Sequence, residues 1–269
     1  TRVRSSAASD VYKRQIWNFP ADVRISASPT SALRQLVVEL DRIMTHAQQQ
    51  EAQARAEEIG AEQKRRRAAA EVRARSKGTA SPLDGEWVVW NLKELLPEGA
   101  VILDEGMSGG GSNSVHLAQD EPGTRFPRGG SSLGWALGAA IGHKLARPER
   151  MVVSLMGDGC YTFGSPLAAH WTAAKANAPS LTVVFNNSGY NASKAPIAAL
   201  YPDGAVVRHD DAIVTDISPS PDYALVAQAC GAFGVTVREP AEVPGALHEA
   251  IEAVEGGRSA VVNAILKPI

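Results

Sequence analysis

The chain has 269 residues, 44% of them hydrophobic, and a formal net charge of −2. This composition is typical of a globular protein with a buried core, and the near-neutral charge argues against nucleic acid or an anionic membrane surface as a partner. Only two cysteines occur, Cys160 and Cys230, and no run reaches the ~18 apolar residues of a membrane-spanning helix. We therefore expect a cytoplasmic α/β protein without a disulfide framework or a cysteine-based zinc site.

The first 45 residues divide into two parts. Residues 1–15 have no helix or strand period and resemble a translated adaptor sequence, so we expect a non-native or disordered leader. Residues 16–45 predict a strand around Val23–Ile25 followed by a helix over Pro29–Ile43. The apolar face of that helix is formed by Leu33, Leu36, Val37 and Leu40. Since one βα unit cannot bury its own apolar faces, we interpret residues 16–45 as the tail of a middle domain.

Residues 46–80 are rich in Ala, Glu, Gln, Lys and Arg and predict a charged helical linker. The basic run Lys64–Arg67 admits a second interpretation, a contact with nucleic acid or another anion. Acidic neighbours such as Glu57, Glu58 and Glu71, together with the slightly negative net charge, favour a solvated helix instead. The linker ends near Pro82, and we place a separate domain at residues 81–269.

This domain alternates between strands and helices. The candidate strands are Ala100–Asp104, Met151–Met156, Leu181–Phe185, Gly234–Arg238 and Ala260–Leu266. The candidate helices are Trp87–Leu96, Leu133–Ala146, Pro166–Asn177, Pro221–Phe233 and Glu242–Glu255. Short hydrophobic runs of this kind are typical of strands covered on both faces. The pattern predicts an α/β fold with a parallel sheet sandwiched by helices, in which ligands bind outside the carboxyl ends of the strands.

Two polar motifs each follow one of these strands directly. The first is Gly157-Asp158-Gly159, and after twenty-six further residues (160–185) comes the second, Asn186-Asn187-Ser188-Gly189-Tyr190. Glycines allow backbone N–H groups to approach a phosphate closely. The Asp158 carboxylate, the Asn187 amide oxygen and the Gly189 carbonyl form an oxygen-only set of the kind that Mg²⁺ prefers. The sequence therefore predicts a magnesium and phosphate site at these two loops.

The two motifs together resemble the thiamine diphosphate signature of the group that contains acetolactate synthase, benzoylformate decarboxylase and benzaldehyde lyase. The resemblance covers about residues 16–269 and identifies residues 81–269 as the diphosphate-binding domain of such an enzyme. In that family the aspartate, the second asparagine and a carbonyl two residues later ligate magnesium. The resemblance thus implies thiamine diphosphate and Mg²⁺ as cofactors, with Asp158, Asn187 and Gly189 as the metal ligands.

The resemblance also implies cofactor contacts in other loops. Ser108 matches a hydroxyl residue of a diphosphate-contacting turn, although the glycine run around it departs from the family pattern. The carbonyl of Ser131 matches the acceptor for the aminopyrimidine group. Leu133 matches the bulky residue that bends the cofactor into a V shape, and a plain core role for Leu133 stays open. The remaining expected cofactor-binding residues are Gly157, Gly159, Cys160, Tyr161 and Tyr190.

The implied activity is that of a lyase or transferase acting on a small-molecule 2-keto acid or aldehyde, by decarboxylation or by acetolactate synthase-like carboligation. The thiazolium ring of the cofactor serves as electron sink in such reactions. The family's activating glutamate lies on a pyrimidine-binding domain, usually of a partner subunit, to which no part of this chain corresponds. The catalytic residues therefore remain unknown, and the chain alone is expected to be inactive. The resemblance further implies a homodimer or homotetramer with the active site at the subunit interface, and leaves open FAD as a cofactor of a full-length protein.

Two alternatives compete with this interpretation. The stretch Gly106–Gly110 matches the GxSxG elbow of α/β-hydrolases with Ser108 as nucleophile, and Asp210 or Asp222 and His248 follow in the required order. The glycine- and serine-rich residues after Ser108 do not favour the helix that must follow such an elbow. The second alternative is a non-catalytic cofactor-binding subunit that works with a partner chain.

Single histidines and aromatic residues give weaker indications. Among the histidines, His116 is the best candidate for an acid–base group because it lies in the loop after the first strand of the domain. His143 and His170 lie in predicted helices, where packing or surface roles are more common. Trp171 has helical spacing from Leu167 and predicts a core position.

Overall fold

The computed structural model describes residues 22–268 except for residues 24, 107–111, 119–120, 128–131 and 210–214. The chain divides into two compact units, Thr1–Gln63 and Lys64–Ile269. The predicted leader at residues 1–15 and the two predicted cofactor contacts Ser108 and Ser131 lie outside the described residues.

The first unit contains helix α1 (Pro29–Ile43) and the beginning of helix α2 (His46–Ser76). Helix α1 has the predicted bounds, and none of its residues is buried. The predicted strand around Val23–Ile25 is wrong, because neither of these two residues lies in a strand and their exposed fractions are 76% and 71%. A strand needs a partner to accept its backbone hydrogen bonds, and the described residues of this unit supply none.

The second unit is built on a parallel sheet, as predicted. Its described strands are β1 (Val101–Glu105), β2 (Arg125–Pro127), β3 (Val152–Gly157), β4 (Leu181–Asn186), β5 (Phe233–Val237) and β6 (Ala260–Ile265). Their order across the sheet is β2-β1-β3-β4-β6-β5, and every pair is parallel. Strand β2 was not predicted, because this three-residue edge strand has too few apolar residues to give a periodic signal.

Helices cover both faces of this sheet. The described helices of this unit are α3 (Gly85–Leu95), α4 (Ser112–His116), α5 (Trp135–Ala146), α6 (Asp158–Phe163), α7 (Pro166–Lys175), α8 (Asn191–Leu200), α9 (Ala205–His209), α10 (Tyr223–Gln228) and α11 (Val243–Glu255). A short 3₁₀ helix, Pro240–Glu242, precedes α11. The five helices predicted for the domain are present, but the one predicted over Pro221–Phe233 extends only over Tyr223–Gln228, and Phe233 already belongs to β5. Helices α4, α6, α8 and α9 were not predicted because their sequences are short or lack an apolar period.

Alternate side chains of each central strand enter two separate hydrophobic cores. Along β3, Val153 and Leu155 pack with α3 and α11, while Val152 and Met156 pack on the opposite face with α5, α6 and α10. All six residues of β3 and of β4 are buried. This double coverage explains why these strands are mostly apolar instead of alternating between apolar and polar residues.

The sheet has a topological switch between β1 and β3. The chain leaves β1 towards β2 on one side, and it leaves β3 towards β4 on the other side. The loops that follow β1 and β3 therefore diverge and leave a crevice outside the carboxyl ends of these two strands, which is where open α/β sheets bind their ligands.

Candidate functional site

The carboxyl ends of three central strands are level with one another. Glu105, the last residue of β1, pairs with Met156 of β3, and Gly157 pairs with Phe185 of β4. The motifs at residues 157–159 and 186–190 consequently start at the same edge of the sheet, beside the switch between β1 and β3.

Asp158 is the first residue of α6, and its carboxylate points to the second motif rather than to water. Only 2% of the residue is exposed. Its Oδ1 accepts a hydrogen bond from the Gly159 N–H at 2.7 Å, and its Oδ2 accepts one from the Gly189 N–H at 3.2 Å. Burial raises the pKa of this carboxyl, while hydrogen bonds from backbone N–H groups act in the opposite direction. A buried carboxylate fixed by backbone donors is a pre-arranged ligand for a cation.

The backbone of Gly189 faces Asp158. Gly189 forms an antiparallel bridge with Asp216, in which Tyr190 N–H donates to the Thr215 carbonyl at 2.7 Å and Ile217 N–H donates to the Ser188 carbonyl at 3.0 Å. Gly189 and Asp216 themselves exchange no backbone hydrogen bond and form the non-hydrogen-bonded pair of this bridge. In such a pair, the N–H and C=O of each residue point away from the partner residue. Since the N–H of Gly189 reaches Asp158, its carbonyl is directed to the same side.

The two asparagines have different surroundings. Asn186 supports the loop: its Oδ1 accepts from the Ser188 N–H at 3.2 Å, and its Nδ2 donates to Asn263 Oδ1 at 3.3 Å. Asn187 is 5% exposed, and its Oδ1 lies 3.3 Å from the Gly189 nitrogen that also contacts Asp158. The side-chain oxygens of Asp158 and Asn187 thus converge on one backbone group.

Close packing explains both the glycine and the tyrosine of the two motifs. The ring of Tyr190 lies so near Gly159 that a Cβ there would be 2.3 Å from Tyr190 Cε1. Gly159, Cys160 and Tyr161 belong to the first turn of α6, whose N–H groups point towards the sheet edge. The tight Gly159–Tyr190 contact therefore brings the second loop against the N-terminal turn of α6.

Leu133 lies just before α5, on the other side of the switch. It is half-buried and packs against the core formed by β1, β3 and α5. The next residue, Gly134, has φ +83° and is the N-cap of α5. The observed packing agrees with a core role for Leu133 and also leaves part of its side chain accessible.

Glu105 was not among the predicted site residues, because the predicted strand ends at Asp104. The residue is 1% exposed, and its carboxylate accepts hydrogen bonds from the Gly134 N–H at 2.5 Å and the Ala136 N–H at 3.0 Å. Its place in the acidic pair Asp104-Glu105, which ends a run of apolar strand residues, is the signal that could have identified it, because buried acids require specific partners.

A buried polar network lies beneath α6. The Tyr161 hydroxyl and His170 Nε2 are 2.8 Å apart, and the Tyr161 ring packs edge-on against Tyr223 with centroids 5.1 Å apart. The Tyr223 hydroxyl lies 3.2 Å from Thr162 Oγ1, which donates to the Asp158 carbonyl at 2.9 Å. Burial lowers the pKa of His170 to about 4 and raises that of Tyr161. The network anchors the helix that carries Asp158.

We expect His170 to make the domain less stable in acid. Because its pKa falls from 6.5 to about 4 on folding, the unfolded state binds more protons between these pH values. The free energy of unfolding should therefore drop by about 3 kcal/mol as the pH falls through this window. Urea denaturation of the wild type and His170→Gln at several pH values measures the difference. Parallel pH profiles for the two proteins would contradict the assignment.

The other predicted acid–base and core positions are placed differently. His116 Nε2 lies 3.1 Å from Glu86 Oε1, and both side chains are buried (4% and 6% exposed). Glu86 also binds Arg73 and Lys77, whose side chains are partly exposed, so His116 belongs to a cluster of ionisable side chains at the start of α3. The predicted core position of Trp171 is wrong: it is 58% exposed, because α7 directs His170 and Ala173 inward instead.

The geometry does not support the hydrolase alternative. The Asp222 carboxylate accepts from the Ala224 N–H at 2.9 Å and caps α10, while His248 is exposed and pairs with Glu252 on its own helix. Neither contact joins Asp222 to His248. Ser108 and Asp210 lie outside the described residues.

The donor chemistry of the Asp158 site fits a hard cation held together with a phosphate ligand. Within the described ranges, no group of three or more His, Cys, Asp or Glu side chains could hold a metal ion. The site instead offers one carboxylate, one amide oxygen and one carbonyl, which suits Mg²⁺ because this ion retains waters and takes further ligands from phosphates. Among the same residues, no helix is long and apolar enough to cross a membrane.

The fold and this site define a parallel α/β domain with helices on both faces of its sheet and two polar loops, after β3 and β4, beside its switch point. Comparison with known proteins gives the family: residues 109–264 match the C-terminal TPP binding domain of thiamine pyrophosphate enzymes, and this chain belongs to that family. It therefore carries a thiamine diphosphate-binding domain.

Individual relatives agree with this assignment. The chain is 30% identical to benzoylformate decarboxylase of Pseudomonas aeruginosa over 64% of its own length, and 35% identical to a probable acetolactate synthase of Mycobacterium bovis over 51%. The structure of a 4-hydroxybenzoylformate decarboxylase from Rhodococcus jostii has the same fold, with a TM-score of 0.61 and 23% sequence identity. The match covers 71% of this chain and 34% of the Rhodococcus chain. The chain spans only 31% of the Pseudomonas enzyme and 22% of the Mycobacterium enzyme.

Proposed function

We propose that this chain binds the diphosphate of thiamine diphosphate through Mg²⁺, with Asp158, Asn187 and Gly189 as the protein ligands. The observation that carries the proposal is the convergence of the Asp158 and Asn187 side chains on the backbone of Gly189, at the carboxyl edge of the sheet. Each of the three residues brings an oxygen donor, and together they leave coordination positions for phosphate oxygens and water.

The other proposed cofactor contacts come from α6, from the loop after β1 and from the residues that precede α5. The N-terminal turn of α6, with the backbone amides of Cys160 and Tyr161, would face the diphosphate, and Ser108 would contact it from the loop after β1. Leu133 would support the bent cofactor, and the Ser131 carbonyl would accept from its aminopyrimidine group. The last cofactor-binding positions in this proposal are Gly157, Gly159 and Tyr190.

We infer that the whole protein acts on 2-keto acids or aldehydes, by decarboxylation or by acetolactate synthase-like carboligation. The names of the Pseudomonas and Mycobacterium relatives support this substrate class. The cofactor supplies the electron sink for bond cleavage next to a carbonyl. The residues of this chain would fix its diphosphate and orient its rings, whereas the activating glutamate is expected on a pyrimidine-binding domain outside this chain.

The proposed domain organisation is a leader at 1–15, a middle-domain tail at 16–45, a helical linker at 46–80 and the cofactor domain at 81–269. Helix α2, over His46–Ser76, supports the linker. A cytoplasmic homodimer or homotetramer, with the active site between subunits, is part of the same proposal. FAD binding would depend on a middle domain of which this chain carries at most the tail.

The experiment that tests the proposal is a calorimetric titration of the 269-residue chain with thiamine diphosphate, in Mg²⁺ and in excess EDTA. We expect saturable binding with Mg²⁺ and its loss in EDTA, because the metal bridges protein oxygens and the diphosphate. Thiamine, which lacks phosphate, is the matched control ligand and should bind weakly in both buffers. Binding that is equal with and without Mg²⁺, or absent from both, would contradict the proposal.

A further inference from the structure

Glu105 connects three elements around the switch. It ends β1, and its carboxylate accepts hydrogen bonds from Gly134 and Ala136 at the N-terminus of α5. Its backbone carbonyl lies 3.5 Å from the Sγ of Cys160 in the first turn of α6. With 1% of its surface exposed, the residue has no access to bulk water. It therefore lies between the loop after β1 and the two helices that flank the proposed cofactor site.

A carboxylate is an unusual choice for this position. Burial raises the pKa of the Glu105 carboxyl, while the N–H groups of Ala136, Gly134 and Trp135 act in the opposite direction. Helix N-termini are normally capped by the Ser, Thr, Asp or Asn that precedes them. Here the N-cap is Gly134, which provides no side-chain hydrogen bond. The cap is supplied instead from a neighbouring strand, at the cost of burying a carboxyl group.

Packing explains why the cap cannot be local. Gly134 has φ +83°, and a Cβ on it would lie 2.4 Å from the nitrogen of Gly164. Any capping side chain at residue 134 would therefore collide with the backbone that ends α6. Glu105, which reaches across the switch from β1, satisfies these N–H groups instead.

The hydrogen bond to Gly134 also fixes its neighbour. The Gly134 N–H lies in one rigid plane with the carbonyl and Cα of Leu133, because the peptide bond is planar. When Glu105 holds that N–H, it orients the whole Leu133–Gly134 peptide. Leu133 is half-buried, so the part of its side chain that is not packed against the core is presented at a defined angle.

We propose that Glu105 is a positioning residue for the thiamine rings, acting through the Leu133–Gly134 peptide and not through the diphosphate. The inference rests on the proposed function, since it takes Leu133 to be the residue that supports the bent cofactor. In this proposal the strands on either side of the switch have different roles. The Asp158 loop after β3 binds the metal and diphosphate, and Glu105 at the end of β1 positions the surface against which the thiamine rings bend.

Glu105→Gln tests this role because the amide retains the shape but places an N–H₂ group against one backbone N–H donor. We expect affinity for thiamine diphosphate with Mg²⁺ to fall roughly tenfold or more. Affinity for inorganic pyrophosphate with Mg²⁺ should stay within about twofold, because that ligand has no rings. A purely structural role would weaken both ligands or neither.

Ser154→Ala is the matched control. The Ser154 hydroxyl is also buried and donates to the Ala136 carbonyl in the first turn of α5, at 3.3 Å, without contacting the Leu133–Gly134 peptide. We expect it to leave both affinities unchanged. If Glu105→Gln does not fold, judged by circular dichroism, Glu105→Asp takes its place: the shorter side chain keeps the charge but cannot reach both N–H groups, and should show the same selective loss.

The outcomes separate this inference from the function on which it rests. Selective loss of thiamine diphosphate in the Glu105 variant supports the positioning role. Equal affinities of variant and wild type for thiamine diphosphate, or an equal loss for both ligands, would overturn it without contradicting the proposed metal ligands. A wild-type chain that binds neither ligand in Mg²⁺ would overturn the proposed function itself, and the role of Glu105 with it.

Discussion

Asp158→Ala should abolish magnesium-dependent binding of thiamine diphosphate by this chain. The carboxylate is the only charged group among the three proposed ligands, and it is held in place by the N–H groups of Gly159 and Gly189. Removing one partner of a buried charge interaction typically costs about 3–5 kcal/mol, which corresponds to a loss of affinity of about a hundredfold or more. Calorimetric titration with the cofactor in Mg²⁺ measures this loss directly.

Asn187→Ala should have a smaller effect in the same direction. The amide oxygen is a neutral ligand, so we expect a loss of about tenfold. Asp158→Asn distinguishes a lost ligand from a disturbed fold, because asparagine has nearly the shape of aspartate but no charge. It should bind about as poorly as the alanine variant.

Asp216→Ala is the matched control for these variants. The backbone of Asp216 forms an antiparallel β-bridge with Gly189. Its side chain is exposed, and the carboxylate accepts a hydrogen bond from the Ser218 N–H at 2.7 Å. Its replacement should leave cofactor affinity unchanged. Wild-type affinity in Asp158→Ala or Asn187→Ala, or an equal loss in Asp216→Ala, would contradict the proposed ligand set.

Gly134→Ala should strongly destabilise the domain. The residue has φ +83°, which alanine adopts only with strain, and the added Cβ would lie 2.4–2.7 Å from backbone atoms of Gly164 and Phe163. Backbone atoms of a packed helix end cannot move aside as a flexible side chain can. Strain and overpacking together predict a loss of about 3 kcal/mol or more in the free energy of unfolding, measured by urea denaturation.

Gly138→Ala provides the comparison within the same helix. A Cβ at Gly138 would meet no atom within 4 Å, so this substitution should stabilise α5 by roughly 0.5–1 kcal/mol. If Gly134→Ala proved as stable as the wild type, the close approach of the α5 and α6 termini would be wrong, and the argument that residue 134 cannot carry its own cap would fail with it.

Much of the fold could be predicted from the sequence because the strands are buried on both faces. The apolar runs of β3 and β4 give unambiguous strands, and the two polar motifs fall where these strands end. The same logic failed around Val23–Ile25, where the described residues of the first unit provide no strand for these two apolar residues to pair with. A short apolar stretch does not indicate whether another strand lies beside it to form a sheet.

The site could be predicted only in part. The sequence indicates that Asp158 and Asn187 lie at the same sheet edge, since both motifs follow parallel strands. It does not indicate that Asn186 supports the loop through Asn263, because that contact depends on strand order. It also gives no hint that Glu105 caps α5, an interaction across 29 residues that follows from Gly134 packing against Gly164. Long-range contacts between loops depend on tertiary packing and leave no periodic trace in the sequence.

The central claim is that Asp158, Asn187 and Gly189 hold the metal that binds the cofactor diphosphate. The most direct test is a crystal structure of the chain with thiamine diphosphate and Mn²⁺ in place of Mg²⁺, since manganese is located by its anomalous scattering. The proposal predicts one anomalous peak about 2.1 Å from the Asp158 carboxylate, the Asn187 amide oxygen and the Gly189 carbonyl, with diphosphate oxygens completing the shell. A peak away from these three oxygens, or a bound diphosphate without metal, would contradict it.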